Sequence, residues 1–188
     1  MSGDVADSAG YLVWIDCEMT GLDLIKDKLI EVAVLVTDSE LNVLDPGLDL
    51  IISADDADLD GMNDVVRDMH AKSGLTDEVR ASTLTMADAE QQLLAYIKRF
   101  VPDRRTAPLC GNSIGQDKRF LAKYMPQLHE FLHYKVVDVS SIKLLASEWY
   151  GGKVTPPKKL ELHRALSDIE ESIAELDYLR KTVFVPAV

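Results

Sequence analysis

The chain settles into its first regular pattern at residues 11–15, a run of β-branched and aromatic positions that predicts a buried strand. Two acids, Asp16 and Glu18, appear inside or just at the end of that run. Strand alternation puts both on one face and Ile15 and Cys17 on the other. Thr20-Gly21 then supplies a turn, and residues 24–28 read as a polar loop. Residues 29–37 are nearly all apolar, the composition of a central strand covered on both faces. Turn residues Asn42 and Asp45-Pro46-Gly47 lead into a third strand at 48–52. Connections this short imply an antiparallel meander.

The period then changes. Residues 55–60 read as an acidic loop, and Met62, Val65, Val66 and Met69 recur at helical spacing, predicting a helix over 61–70 that breaks at Ser73-Gly74-Leu75. A helix over 86–100 carries Ala89, Leu93, Tyr96, Ile97 and Phe100 as its apolar face, with Thr85 as N-cap and Pro102 beyond its end. Residues 108–112 form a fourth strand, 116–125 a helix ending before Pro126, 134–138 a fifth strand and 139–149 a helix. Gly151-Gly152 and Pro156-Pro157 frame a mobile loop. The last helix runs over 165–182 on Ile169, Ile173, Leu176 and Leu179, and a capping box from Ser167 to Glu170 would shift its start. Strands first, then strands alternating with helices, predict an α/β fold with one mixed sheet covered by helices. No repeat or linker divides the chain, so the expectation is a loose tail over 1–10 and a single domain over 11–188.

Composition narrows the picture. With 188 residues, 47% hydrophobic and 28% charged, the chain has the make-up of a soluble globular protein. Its net charge of -12 argues against tight binding of long or duplex nucleic acid, which needs a basic stripe. A short nucleic acid held through metal ions remains compatible, because the ions reverse the local charge. The two cysteines, Cys17 and Cys110, fall in predicted buried strands and read as free thiols of a reducing compartment. No apolar run approaches about 18 residues, so no membrane span is expected. The first residues lack the basic start and apolar core of a signal peptide, which points to the cytoplasm.

Three segments carry candidate chemistry. Asp16 and Glu18, side by side on a buried strand, repel and are costly to desolvate unless a hard divalent cation sits between them. The plain alternative is a strand end with solvated acids. The segment from Cys110 to Asp117 ends a strand and begins a helix. Asp117 either serves the helix dipole or points back over the strand ends towards Asp16. His163 precedes the last helix and Asp168 lies near its start; singly these would be an exposed imidazole and a cap. Jointly, after two other acidic sites, they read as one constellation. Oxygen ligands suit Mg²⁺ or Mn²⁺, and a chain with two Cys and four His argues against zinc.

D-x-E-x-T-G-L at 16–22, G-N-S-I-x-Q-D at 111–117 and H-R-A-L-x-D-I at 163–169, in this order, resemble the DEDD-type 3′–5′ exonucleases of the catalytic-histidine branch, and within them the oligoribonuclease family. The resemblance spans 11–180 and includes M-H-A-K-S-G-L at 69–75, R-F-L at 119–121 and H-Y-K-V-V-D-V-S at 133–140. It implies a ribonuclease H-like, mixed five-stranded sheet flanked by helices. It implies that Asp16, Glu18, Asp117 and Asp168 hold two divalent cations, Mg²⁺ or Mn²⁺, about 4 Å apart, with His163 as general base. The implied substrate is short single-stranded RNA, from dinucleotides to about five nucleotides, cut from the 3′ end to nucleoside 5′-monophosphates. Met19, Thr20 and Gly21 would line the 3′-terminal nucleotide, Leu22 would wedge against the bases and His70 would lie near that nucleotide. Ser113, Ser140 and Ser141 would cap the 5′ phosphate, and Tyr134 and Lys135 would act across the interface of a homodimer. Leu22 as core and the serines as helix caps are the ordinary alternatives, and Asp138 reads as a cap. Val65 stands where the family pattern has tryptophan, and Lys135 where it has arginine, which loses a bidentate fork for phosphate.

Two rival readings share parts of this pattern. A proofreading-type exonuclease on DNA ends would use the same chemistry, but the acidic balance argues against it. A non-catalytic dimeric nucleotide-binding module would be expected to have lost at least one of Asp16, Glu18, Asp117, His163 and Asp168.

Overall fold

The structure, a computed structural model, describes residues 10–157 and 164–185. The predicted tail over 1–10 therefore falls, but for its last residue, outside the described residues, and His163 does so entirely.

Five strands make one sheet in the order β3-β2-β1-β4-β5. Strand β1 (Leu12–Met19) pairs antiparallel with β2 (Leu29–Thr37), and β2 antiparallel with β3 (Leu48–Ile51), which is the expected meander. On its other side β1 runs parallel to β4 (Pro108–Gly111), and β4 parallel to β5 (His133–Asp138), so the sheet is mixed. Parallel neighbours need helical crossovers, which accounts for the helices between the later strands. Strand β2 is buried at every position, matching its unbroken apolar run.

Each face of the sheet has its own core. Val13, Ile15, Cys17, Val32, Val34 and Val36 pack against α4 (Met86–Lys98), α5 (Gly115–Tyr124) and α6 (Pro126–Phe131). Trp14, Ala33, Leu35 and Cys110 pack against α7 (Val139–Trp149) and α8 (Ala165–Val183). Trp14 is fully buried, and its indole N–H is satisfied by Thr37 Oγ1 at 3.0 Å. A third cluster joins Ile30 to α1 (Asp56–Asp60), α2 (Asp64–Ser73) and α3 (Leu75–Ala81).

Several local expectations change. Residues 56–60 are helical, with Leu59 buried under α1, where the acidic run had predicted a loop. Helix α2 starts three residues later than predicted, because Asn63 Oδ1 accepts the Val66 N–H at 3.0 Å and caps it. Val65 is 78% exposed, and the buried position of α2 is His70. Gly74, left-handed at φ 81°, ends α2 and at once begins α3, a helix with no predicted counterpart. Helix α6 is also new: Pro126 ends α5 as expected, but it also opens a second helix. The acceptor for that helix start comes from another element, since Glu90 Oε1 accepts the N–H groups of Gln127 and Leu128 at 2.7 and 3.1 Å. Helix α8 begins at Ala165 without a side-chain cap, so the Ser167–Glu170 box does not form. No helix among the described residues is long and apolar enough to cross a membrane.

Candidate active site

The site lies where β1 leaves the centre of the sheet. Alternation along β1 puts Asp16 and Glu18 on the face that α8 covers, opposite Ile15 and Cys17. Helix α8 brings Asp168 to the same place from its first turn. One carboxylate oxygen from each of Asp16, Glu18 and Asp168 lies within 4.8 Å of the others. Crowding shows in Glu18, whose carboxyl is pushed up to about 8, first by burial and then by the negative charges of Glu31, Asp168 and Asp117. Such an arrangement is unfavourable by itself and favourable around a hard cation, so the residues present fit a divalent metal ion.

Asp117 arrives from the opposite side. It sits in the first turn of α5, buried, and its Oδ1 accepts the Cys17 N–H at 3.0 Å. Burial pushes its carboxyl up to about 6 against the pull of that hydrogen bond. Asp117 thus reaches back over the end of β1, as the second sequence reading has it, and its charge is felt at Glu18. It stands beside the close trio of acids, tied to the strand between Asp16 and Glu18.

Two residues that the sequence reading passed over lie behind the trio. Glu31 on β2 is directly opposite Glu18 in the strand register and completely buried. Its carboxyl is raised to about 7 by burial and by Asp49, with Arg164 pulling it back down. Arg164 Nε donates to Glu31 Oε1 at 3.0 Å, and its two terminal nitrogens donate to Glu78 at 3.2 and 2.8 Å. A lone acid inside the all-apolar run 29–37 was the available signal, since a buried charge demands a counter-charge.

The turn after β1 is rigid. A Cβ on Gly21 would fall 2.3 Å from Asp27 Oδ2, so a larger residue fits only if that carboxylate gives way. Asp27 in turn accepts from Thr20 Oγ1 at 3.3 Å and from the Asp23 N–H at 2.7 Å. Thr20 is buried, Met19 is half-buried against the core, and Leu22 is 61% exposed, which removes its reading as core. His70, buried on α2, donates from Nε2 to the Met19 carbonyl at 2.9 Å and lies 4.0 Å from Glu18 Oε2. It therefore sits beside the end of β1, behind Met19 and Glu18.

The serines form a second polar patch at the ends of β4 and β5. Asp138 caps α7 by accepting the Ser140 N–H at 3.0 Å, and also accepts the Ser113 N–H at 3.1 Å. The Ser113 and Ser140 hydroxyls meet at 3.1 Å, with Ser113 held at φ 52°. Helix α5, which follows Ser113, has no side-chain cap and α7 is capped by Asp138, so the cap reading holds for Asp138 and not for Ser113 or Ser140. Ser140 Oγ donates to Asn112 Oδ1 at 3.0 Å, Asn112 Nδ2 to Ser172 Oγ at 2.8 Å, and Ser172 Oγ to the Asp168 carbonyl at 2.7 Å. The patch is therefore wired to the helix turn that carries Asp168. Ser141 is exposed next to it on α7. Tyr134, 73% exposed, and Lys135 lie on edge strand β5, two strands from β1, and do not join the acids within this chain.

Comparison with known proteins follows this geometry. The family model for exonucleases (RNase T type) matches residues 13–176. Proteins named oligoribonuclease from Rhodococcus jostii and Leifsonia xyli are 62% and 56% identical, covering 93% and 96% of this chain and 88% and 87% of their own lengths. A Mycobacterium tuberculosis oligoribonuclease is 58% identical over 93% of this chain and 82% of its own length. Among solved structures, Escherichia coli exonuclease I superposes with a TM-score of 0.73 at 13% identity in a zinc-bound complex with single-stranded DNA. It does so with 0.72 at 16% when bound to a labelled dT13 oligonucleotide. Both cover 93% of this chain, which spans 41% of theirs, and at such identity they speak to the fold, which is the ribonuclease H-like one.

Proposed function

Because this chain belongs to the oligoribonuclease family of exonucleases, we propose that it is a metal-dependent 3′–5′ exoribonuclease that degrades short single-stranded RNA, dinucleotides above all, to nucleoside 5′-monophosphates. The observation that carries the reading is the trio of Asp16, Glu18 and Asp168, three carboxylates gathered within 4.8 Å at a partly buried strand end. With Asp117 beside them they would hold two Mg²⁺ or Mn²⁺ ions, which when bound supply Lewis acidity to a water and to the departing 3′ oxygen.

The chain's own groups do the rest. His163, one residue before Arg164, takes the proton of the attacking water, which suits an imidazole at neutral pH. The locked turn of Thr20 and Gly21 with Met19 fixes the wall against which the 3′-terminal nucleotide lies, and exposed Leu22 contacts its base. His70 holds the Met19 carbonyl and so keeps that wall in register with Glu18. The paired hydroxyls of Ser113 and Ser140, with Ser141 beside them, offer donors to a 5′ phosphate. A 5′ phosphate held there would favour short substrates.

A homodimer completes the reading. Tyr134, Val136, Leu144, Leu145, Trp149 and Tyr150 are exposed apolar side chains on edge strand β5 and on helix α7 with its C-cap. An open strand edge beside such a patch supports self-association. It would carry Tyr134 and Lys135 to the other subunit's substrate. Lys135 keeps the charge that arginine would bring but not the fork. Free, buried Cys17 and Cys110 support a reducing compartment such as the cytoplasm. The chain from residue 11 onwards acts as one exonuclease domain in this reading.

The test is turnover of 5′-phosphorylated RNA of two, three, five and twenty nucleotides with Mg²⁺, Mn²⁺ or EDTA. Metal-dependent release of mononucleotides, fastest on the dinucleotide, is expected. Preference for the twenty-mer, or for DNA, would replace the short-RNA reading, and inactivity of folded protein with either metal would replace the enzyme with a binding module.

A further inference from the structure

We propose that Arg164 is a positioning residue, whose guanidinium clamps the first turn of α8, and with it Asp168, onto the sheet behind Glu18. The inference rests on the reading of the acidic trio as a cation site.

Arg164 is the last residue before α8, and its carbonyl accepts the Asp168 N–H at 3.0 Å, so the two belong to one helical turn. That turn has no side-chain cap of its own. Beside the buried Ala165 and Ile169, the polar tie on it is the guanidinium, which reaches three separate elements. Nε donates to Glu31 on β2 at 3.0 Å. The two terminal nitrogens form a fork on the Glu78 carboxylate of α3 at 3.2 and 2.8 Å, and one of them lies 4.0 Å from Asp49 on β3. A planar, forked donor set can satisfy carboxylates in two directions at once, which an ammonium cannot. Glu31 lies directly opposite Glu18 across the β1–β2 ladder. The clamp therefore ends one cross-strand pair away from the trio, and the position of Asp168 relative to Glu18 is set through it. The crowding that raises Glu18 works against this spacing before a cation arrives. Preorganisation by surrounding hydrogen bonds is what such ligands need.

The experiment uses full-length protein stripped of metal. Mn²⁺ binding is measured by calorimetry for wild type, Arg164→Met, Arg164→Lys and Glu78→Gln. Amide hydrogen exchange over 165–169 is followed in the same metal-free samples, and kcat and KM are measured on an RNA dinucleotide. Glu78→Gln alters a carboxylate that is 43% exposed, so it is expected to fold even if Arg164→Met does not. The clamp predicts Mn²⁺ affinity at least about tenfold weaker in Arg164→Met and a few-fold weaker in Glu78→Gln. It also predicts faster exchange over 165–169, a fall in kcat with KM little changed, and only partial recovery in Arg164→Lys. Wild-type Mn²⁺ affinity in Arg164→Met and Glu78→Gln would overturn it, and so would full recovery by lysine, which would leave charge alone as the cause. If wild type itself bound no Mn²⁺, the cation reading would fall; exchange over 165–169 would then decide the clamp, unchanged rates in Glu78→Gln refuting it and faster rates supporting it.

Discussion

Without a cation, Glu18 holds its proton at neutral pH, because burial and three neighbouring carboxylates push its carboxyl up to about 8. Glu31 at about 7 and Asp117 at about 6 are displaced in the same direction, each chiefly by burial. An acid whose folded value is raised binds more protons folded than unfolded, so its contribution is fully present below the unfolded value, near 4, and is lost as pH rises through the folded one. Metal-free protein should therefore melt progressively lower between about pH 5 and pH 8. Mn²⁺ should reduce that fall, since the ion replaces the protons. Thermal melts in EDTA and in Mn²⁺ across this range check it, and a flat EDTA profile would contradict the burial of these acids. At the same scale, Asp117→Asn keeps an acceptor for the Cys17 N–H but removes the charge. Turnover should drop at least about 100-fold with the melting temperature nearly unchanged, and near-normal turnover would remove Asp117 from the metal site.

At the scale of elements, the turn after β1 couples stability to substrate binding. Gly21→Ala drives a methyl to 2.3 Å from Asp27 Oδ2, a carboxylate already held by Thr20 and by the Asp23 N–H. The carboxylate can yield only by giving up those bonds, so the change should cost about 1–3 kcal/mol in urea unfolding. KM for a dinucleotide should rise as well, because Met19 and Leu22 flank the displaced turn. Loss of neither would mean that the turn repacks freely. Elements also differ in how far they could be read from their own residues. Helix α4 was legible because Thr85 caps it with an acceptor 3.1 Å from the Asp88 N–H, a signal within one turn. Helix α6 was not, because its first amides are capped by Glu90, 37 residues away. On α2, Val65 fitted the helical stripe, yet packing chose His70 for the inside, with Met62 buried just before the helix.

At the scale of the molecule, the apolar side chains left on β5 and α7 are the feature a single chain does not resolve. Trp149 is 72% exposed on α7 beside Leu145, next to an edge strand with one free side. Trp149→Glu places a charge in that patch and should convert the proposed dimer to monomer in sedimentation experiments, with unchanged far-UV circular dichroism. Dinucleotide turnover should fall with dimer content if Tyr134 and Lys135 act across the interface. A monomeric variant of full activity would confine the site to one chain.

The residues alone determined the strand order along the chain, the antiparallel start, the acids Asp16, Glu18, Asp117 and Asp168 and the family they mark. Alternation, turn chemistry and motif spacing are properties of neighbouring residues and need no fold to be read. Tertiary structure decided that Asp117 would hang on the Cys17 amide, 100 residues away, and that Arg164 would meet Glu31 across 133. It also decided that His70 would be buried against Met19. Such pairings depend on which segments the closed chain brings together, where the energy of burying a charge or a polar ring is settled by contacts that no local pattern contains.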